Sequence, residues 1–166
     1  MTEDEELMRL ALDEARKAGA GGEVPAGAVV VSANGKIIAR AGNACITMND
    51  PSAHAEILAL RKAGARMNNY RLDGTTLFST LEPCPMCFMA MVHARLNRLV
   101  FGARESKTGA LGSLIDFTGL KKLNHRIKIE SGVLAEESAS LLKDFFKRRR
   151  GTEVVVTGAT RNRLVR

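Results

Sequence analysis

Two short stretches hold the residues best suited to chemistry. His54-Ala55-Glu56 stands at the head of an otherwise apolar run, ILAL. Cys84-Pro85-Met86-Cys87 follows thirty residues later, between a β-rich run and a second apolar segment. Taken alone, C-x-x-C fits a redox dithiol or half of a structural zinc site. In the first turn of a helix both thiols face unpaired backbone N–H groups and the positive end of the dipole, which favours thiolate. The i, i+3 spacing places both sulfurs on one helical face, where they can share an ion. Zinc takes Cys sulfur and His nitrogen, and a catalytic zinc keeps three protein ligands with one open position. Cys84 and Cys87 supply two ligands, and His54 is the natural third. Glu56 then sits near the metal without being obliged to bind it.

Bland readings compete with this one. A lone histidine beside an apolar helix is usually a hydrogen-bonded core residue. PMCFMAM reads as core packing, and His93 and His125 have no partner motif. The chain has three cysteines, and no second C-x-x-C exists to complete a four-cysteine ribbon. So low and odd a count does not read as a disulfide framework. Cys45 takes the reading of an inert thiol.

The elements that must position these residues are legible from capping and periodicity. Thr2 and Glu5 have capping-box spacing ahead of Leu7, Leu10, Ala11, Ala15 and Ala18, and glycines 19, 21 and 22 should stop that helix. AGAVVVSANGKIIARAG predicts two strands joined by a two-residue turn at Asn34-Gly35. Residues 43–52 read as a loop with Asp50-Pro51 as breaker. A helix is expected over about 53–63, a buried strand over 75–82 and an apolar helix over 85–96. Strands are expected at 98–103 and 126–130, and an amphipathic helix from 135. Residues 151–166 read as a basic, poorly ordered tail in which Val154–Val156 can pair as an edge strand. This order predicts an α/β domain, with an antiparallel hairpin at one side of a mixed sheet and parallel strands elsewhere. In such a sheet the starts of neighbouring helices open onto one edge, so the heads of the two central helices should meet.

The chain is 166 residues long with 45% hydrophobic and 26% charged residues, which suits one globular domain. No apolar run approaches the roughly 20 residues that cross a bilayer. The acidic start MTEDEELMRL carries no apolar signal region, so a cytoplasmic protein with no membrane association is the expectation. Net charge is +7 and concentrated at the end: residues 147–166 hold seven Arg and Lys against one acid. That pattern fits a solubilising tail or a contact with a polyanion such as RNA.

The joint pattern H-x-E then P-C-x-x-C is the signature of zinc nucleoside and nucleobase deaminases. The sequence resembles the bacterial tRNA-specific adenosine deaminases, which convert the wobble adenosine of an anticodon to inosine. The resemblance runs through EVPAGAVVV, NDPSAHAEILALR, NYRLDGTTLFSTLEPCPMC, FGARESKTGALGS and LNHR, over roughly residues 3–150. It implies a three-layer α/β/α cytidine-deaminase-like fold with a mixed five-stranded sheet over residues 1–150, and a homodimer acting on the tRNA anticodon stem-loop. It implies one Zn2+ per subunit on His54, Cys84 and Cys87, with Glu56 as the proton shuttle. Asn43 matches a pocket asparagine that contacts the base. Glu105 stands where the family commonly has Asp, and takes the same nucleotide contact with one methylene more. Lys147, Arg148, Arg149 and Arg150 are the candidates for RNA backbone contacts. Deaminases of free nucleobases or nucleosides share the zinc motif; the basic end and the FGARESKTGALGS loop favour RNA. A thiol–disulfide oxidoreductase and a non-catalytic RNA-binding subunit are the competing classes.

Overall fold

The computed structural model describes residues 1–156. Helix α1, Glu3–Ala20, begins at the Thr2 cap, where Thr2 Oγ1 accepts from Glu5 N and Glu5 Oε2 accepts from Thr2 N. Its buried face is Met8, Ala11, Leu12 and Ala15. Strands β1, Gly27–Val31, and β2, Ile37–Gly42, form the expected antiparallel hairpin. Their turn is longer than two residues. Gly35 N donates to Ser32 O and Ser32 N donates to Lys36 O, while Gly35 takes φ 78°. The Asn34 side chain accepts from Ser32 Oγ and Lys36 N. It thereby folds Ser32 and Lys36 into the turn rather than into the ladder.

Within the segment expected to be loop lies a single-turn helix, α2, Cys45–Met48, closed by Asn49 in the left-handed region at φ 49°. Helix α3, Ala55–Met67, runs past the expected stop, so Gly64 is interior; Asn68 ends the helix in the left-handed conformation. Strand β3, Thr76–Leu81, helix α4, Pro85–His93, and strands β4, Arg98–Ala103, and β5, Lys128–Ser131, follow near the expected places. Helix α5 spans Ala135–Val156. The expected tail boundary at 151 therefore falls inside α5, and residues 154–156 are helical rather than an edge strand. A single glycine at 151 costs about 1 kcal/mol and does not stop a helix already docked upstream. Arg161, Arg163 and Arg166 lie outside the described residues.

The sheet order is β2-β1-β3-β4-β5, with β1 antiparallel to both neighbours and β3, β4 and β5 parallel. Alternate residues of β1 serve different layers. Ala28 and Val30 pack with Ile57, Leu60, Phe88 and Met91 of α3 and α4. Val29 and Val31 pack with Met8 and Leu12 of α1. Both faces are covered, which is why β1 reads as a continuous apolar run instead of alternating.

Helix α1 lies very close to the hairpin. Gly27 and Gly42 are register partners, and a Cβ on Gly27 would stand 1.9 Å from Ala11 O. Gly27→Ala is therefore expected to destabilise the domain by about 1–3 kcal/mol through overpacking against backbone. Thermal unfolding checks this; an unchanged Tm contradicts it.

Candidate active site

His54 and Cys84 are the N-cap residues of α3 and α4, and neither makes a side-chain capping hydrogen bond. Both are free to turn toward one another at the edge where the two helix starts meet. Pro85 in the first turn of α4 leaves no orphan N–H there. Cys87 lies one turn further in and is fully buried. The His54 ring nitrogen Nδ1 is 3.6 Å from Cys84 Sγ and 3.5 Å from Cys87 Sγ. All three donor atoms lie within 4.8 Å of one another.

The donor set suits zinc. With Zn–S near 2.3 Å and Zn–N near 2.05 Å at tetrahedral angles, sulfur and nitrogen should stand about 3.6 Å apart. The two observed separations agree. Two sulfurs and an imidazole on one ion leave a fourth position open, the pattern of a catalytic rather than a structural zinc site. A redox dithiol has no use for a histidine equidistant from both sulfurs.

Of the three donors only Cys84 is shifted toward the form that binds a metal; Cys87 and His54 are shifted toward their protonated forms and must give up protons to ligate. A hydrogen bond from Cys87, then one from His54, holds the Cys84 thiol well below its ordinary range, at about 4. The same Cys84 contact, with burial, pushes Cys87 up. The pair thus shares one proton beside one negative charge, and a divalent cation displaces that proton on binding. The bond to Cys84 raises His54 despite burial.

Glu56 projects from the first turn of α3 and is 6% exposed. Ser79 Oγ lies 3.3 Å from Glu56 Oε1 and donates to Leu81 O at 2.8 Å. Burial raises the Glu56 carboxyl above its ordinary value, against the pull of its own helix amide and His54. The carboxylate stays outside the three-residue cluster. Its place at a helix start beside the donor atoms suits a group that takes up and returns a proton.

His54, Cys84 and Glu56 border a cavity of about 540 Å³. Asn43 enters its wall from the end of β2, held by its amide donating to Ala26 O. Glu105 enters from the loop after β4, with Oε1 accepting from Lys107 N at 3.0 Å. The structure thus brings His54, Cys84, Glu56, Asn43 and Glu105 to one cavity, with Cys87 buried behind its wall against His54. Cys45 also lines it, with Sγ 3.9 Å from Asn43 Oδ1.

The basic cluster is divided by the helix that carries it. Successive residues of α5 point about 100° apart. Arg148 lines a small cavity facing Arg16 of α1, and the Arg149 guanidinium lies 5.7 Å from the Phe145 ring centre. Arg150 instead lines a groove of about 330 Å³ with Arg104, Lys107 and Lys143. That groove shares Lys107, Leu142 and Phe146 with the cavity wall. Sequence reasoning missed Lys107, Lys143 and Phe146, although the i, i+3, i+7 spacing of Lys143, Phe146 and Arg150 marks one helical face. It also missed two buried carboxylates, Glu23 and Glu82. Glu23 accepts from Ile46 N, Thr47 N and Thr47 Oγ1, and so anchors α2 beside the cavity.

Residues 1–103 match the family model of the cytidine and deoxycytidylate deaminase zinc-binding region. The tRNA-specific adenosine deaminase of Haemophilus influenzae is 51% identical over 147 residues, 89% of this chain and 85% of that protein. The chain belongs to the tRNA-specific adenosine deaminase family of zinc-dependent deaminases. A solved structure of a tRNA:A34 deaminase, from work on A-to-I editing at the wobble position, is 44% identical with a TM-score of 0.79. That match covers 82% of this chain and 99% of the other. The guanine deaminase of Nitrosomonas europaea is more distant, at 26% identity and a TM-score of 0.71 over 85% of this chain and 83% of its own. Membership of the deaminase family agrees with the zinc-suited cluster and with the five-stranded α/β/α architecture.

Proposed function

We propose that this chain hydrolyses the 6-amino group of adenosine at the wobble position of a tRNA anticodon, giving inosine and ammonia. The observation that carries this is the meeting of His54, Cys84 and Cys87 with a buried Glu56 outside the cluster, on a cavity whose wall runs into a basic groove. Zinc bound by His54, Cys84 and Cys87 supplies the Lewis acidity that makes water a nucleophile near neutral pH. Glu56 accepts the proton of the attacking water on its carboxylate. It passes that proton to the ring nitrogen, then takes the second proton from the hydroxyl now on C6. That proton goes to the departing amine, which leaves as ammonia, so the carboxylate acts as base and acid in turn. Asn43 and Glu105 hold the base and its sugar. A stacked base cannot present C6 to such a site, so the loop nucleotide is splayed into the cavity.

Incubating the protein with an anticodon stem-loop and with free adenosine, guanine and cytidine tests the reading. Inosine in the stem-loop, with little product from the free compounds, is expected. Faster turnover of a free nucleobase or nucleoside would overturn it.

The RNA backbone contacts of Lys147 to Arg150 belong to the same proposal, with Arg150 extended by Lys107 and Lys143 along the groove. Each contact to single-stranded phosphate contributes about 0.7 to the slope of log affinity against log salt. Replacing Lys107, Lys143 and Arg150 by Ala should therefore flatten that slope by about two. Replacing Lys147, Arg148 and Arg149 should flatten it less. Equal effects of the two sets would return the interface to the whole cluster. A homodimer and a cytoplasmic location complete the proposal. Among the described residues no helix is long and apolar enough to cross a membrane.

A further inference from the structure

The turn that delivers Cys84 is stitched to the loop that delivers Glu105. Glu82 lies two residues before Cys84, and its side chain is 0% exposed. Its amide donates to Ala103 O at 2.8 Å, and Pro83 O accepts from Ala110 N at 2.9 Å. Both carboxylate oxygens are engaged. Oε1 accepts from Leu111 N at 2.9 Å and Ser113 N at 3.2 Å. Oε2 accepts from Glu105 N at 3.1 Å and from Ser113 Oγ. Arg104 Nη1 stands 4.0 Å from Oε1 and donates to Leu111 O, which ties the same loop from its other side.

Gly109 is shaped to this carboxylate. A Cβ there would lie 2.4 Å from Glu82 Cδ and 2.6 Å from Glu105 O. Only glycine lets the loop lie flat on the Glu82 side chain. Burying a carboxylate is costly unless its lone pairs are used, so Glu82 is a poor choice for filling space. All four of its side-chain donors come from residues 105–113, and Glu105, Ser106, Lys107 and Thr108 of that loop line the cavity.

We propose that Glu82 is a positioning residue for the deamination. Its carboxylate fixes the backbone at Glu105 and so sets the Glu105 side chain against the substrate. The inference rests on the reading of Glu105 as a substrate contact. Gln at position 82 keeps one oxygen for the Leu111 and Ser113 amides and turns an NH2 group toward the Glu105 amide. The substitution therefore releases Glu105 while leaving most of the loop anchored.

The test uses the zinc-loaded full chain on an anticodon stem-loop, with Glu82→Gln and Glu105→Ala made singly and together. Misplacing a positioned group costs up to about a hundredfold, so Glu82→Gln should lower kcat/KM roughly 10- to 100-fold at unchanged zinc content. In the Glu105→Ala background the same change should cost less than about twofold, because the two residues act as one unit. Ser113→Ala removes one donor and keeps the amide; it should give a smaller loss with the same dependence on Glu105, and it serves if Glu82→Gln does not fold. Equal losses in both backgrounds, or zinc lost along with rate, make Glu82 a structural staple and overturn the proposal. If Glu105→Ala alone retains full kcat/KM, the substrate role of Glu105 falls first and the inference falls with it.

Discussion

A Glu56→Gln variant is expected to bind zinc as the parent does and to lose turnover by at least about 10³-fold, since it removes a group used as both base and acid. The geometry separates the two outcomes. The carboxylate is buried next to His54, yet the three donor atoms that suit zinc belong to His54, Cys84 and Cys87. Gln matches the shape of Glu and still has an oxygen for the Ser79 hydroxyl. Packing is thereby preserved, and only the ability to take and return a proton is removed. Glu56→Ala should behave alike in zinc content and rate, with a cavity added. Zinc per chain by atomic absorption and inosine formation by RNA sequencing check both halves. Loss of stoichiometric zinc from either variant would falsify the proton-carrier assignment and make Glu56 a ligand.

Removing a ligand should have the opposite signature. Cys87 is fully buried among the residues of the α3–α4 layer, and its sulfur completes the cluster at 3.5 Å from His54 Nδ1. Cys87→Ala is expected to abolish zinc binding and, with it, deamination. A ligand present at about a thousand times its Kd stabilises the folded state by about 4 kcal/mol, which for a domain of this size is roughly 10 °C in Tm. A chelator should therefore lower the Tm of the parent by about that amount and leave the Cys87→Ala protein, already lower, unchanged. A variant that keeps one zinc per chain would show that two donors and a fourth group suffice. A Tm that ignores chelator in the parent would show that the site forms without contributing to the fold.

How much of this was legible in the sequence follows from how local each feature is. Capping of α1 by Thr2 and Glu5 needs only neighbours three residues apart, and the structure places it as expected. The i, i+3 pair Cys84 and Cys87 shares a face by helical geometry alone. The misreadings are of the same local kind. Asn34-Gly35 predicted the shortest hairpin turn, but the Asn34 side chain recruits Ser32 and Lys36 and lengthens it. Gly151 and the β-branched run after it oppose helix by propensity and predict an end near 150, whereas α5 continues to Val156 from a segment already packed upstream.

The sequence by itself determined which atoms are present for chemistry: one imidazole, two thiols and a carboxylate, each at the head of a helix or one turn in. Type and spacing were enough because metal ligation and helix starts are written in neighbouring residues. Tertiary structure decided what surrounds that centre. The packing of α5 on β4 and the path of residues 104–113 select Lys107, Lys143 and Arg150 for the groove and turn Arg148 and Arg149 elsewhere. It also closes four donors around the Glu82 carboxylate, from residues 23 to 31 positions further along the chain. No local rule carries such distances, since they depend on which strands lie side by side and how closely a glycine lets a loop approach.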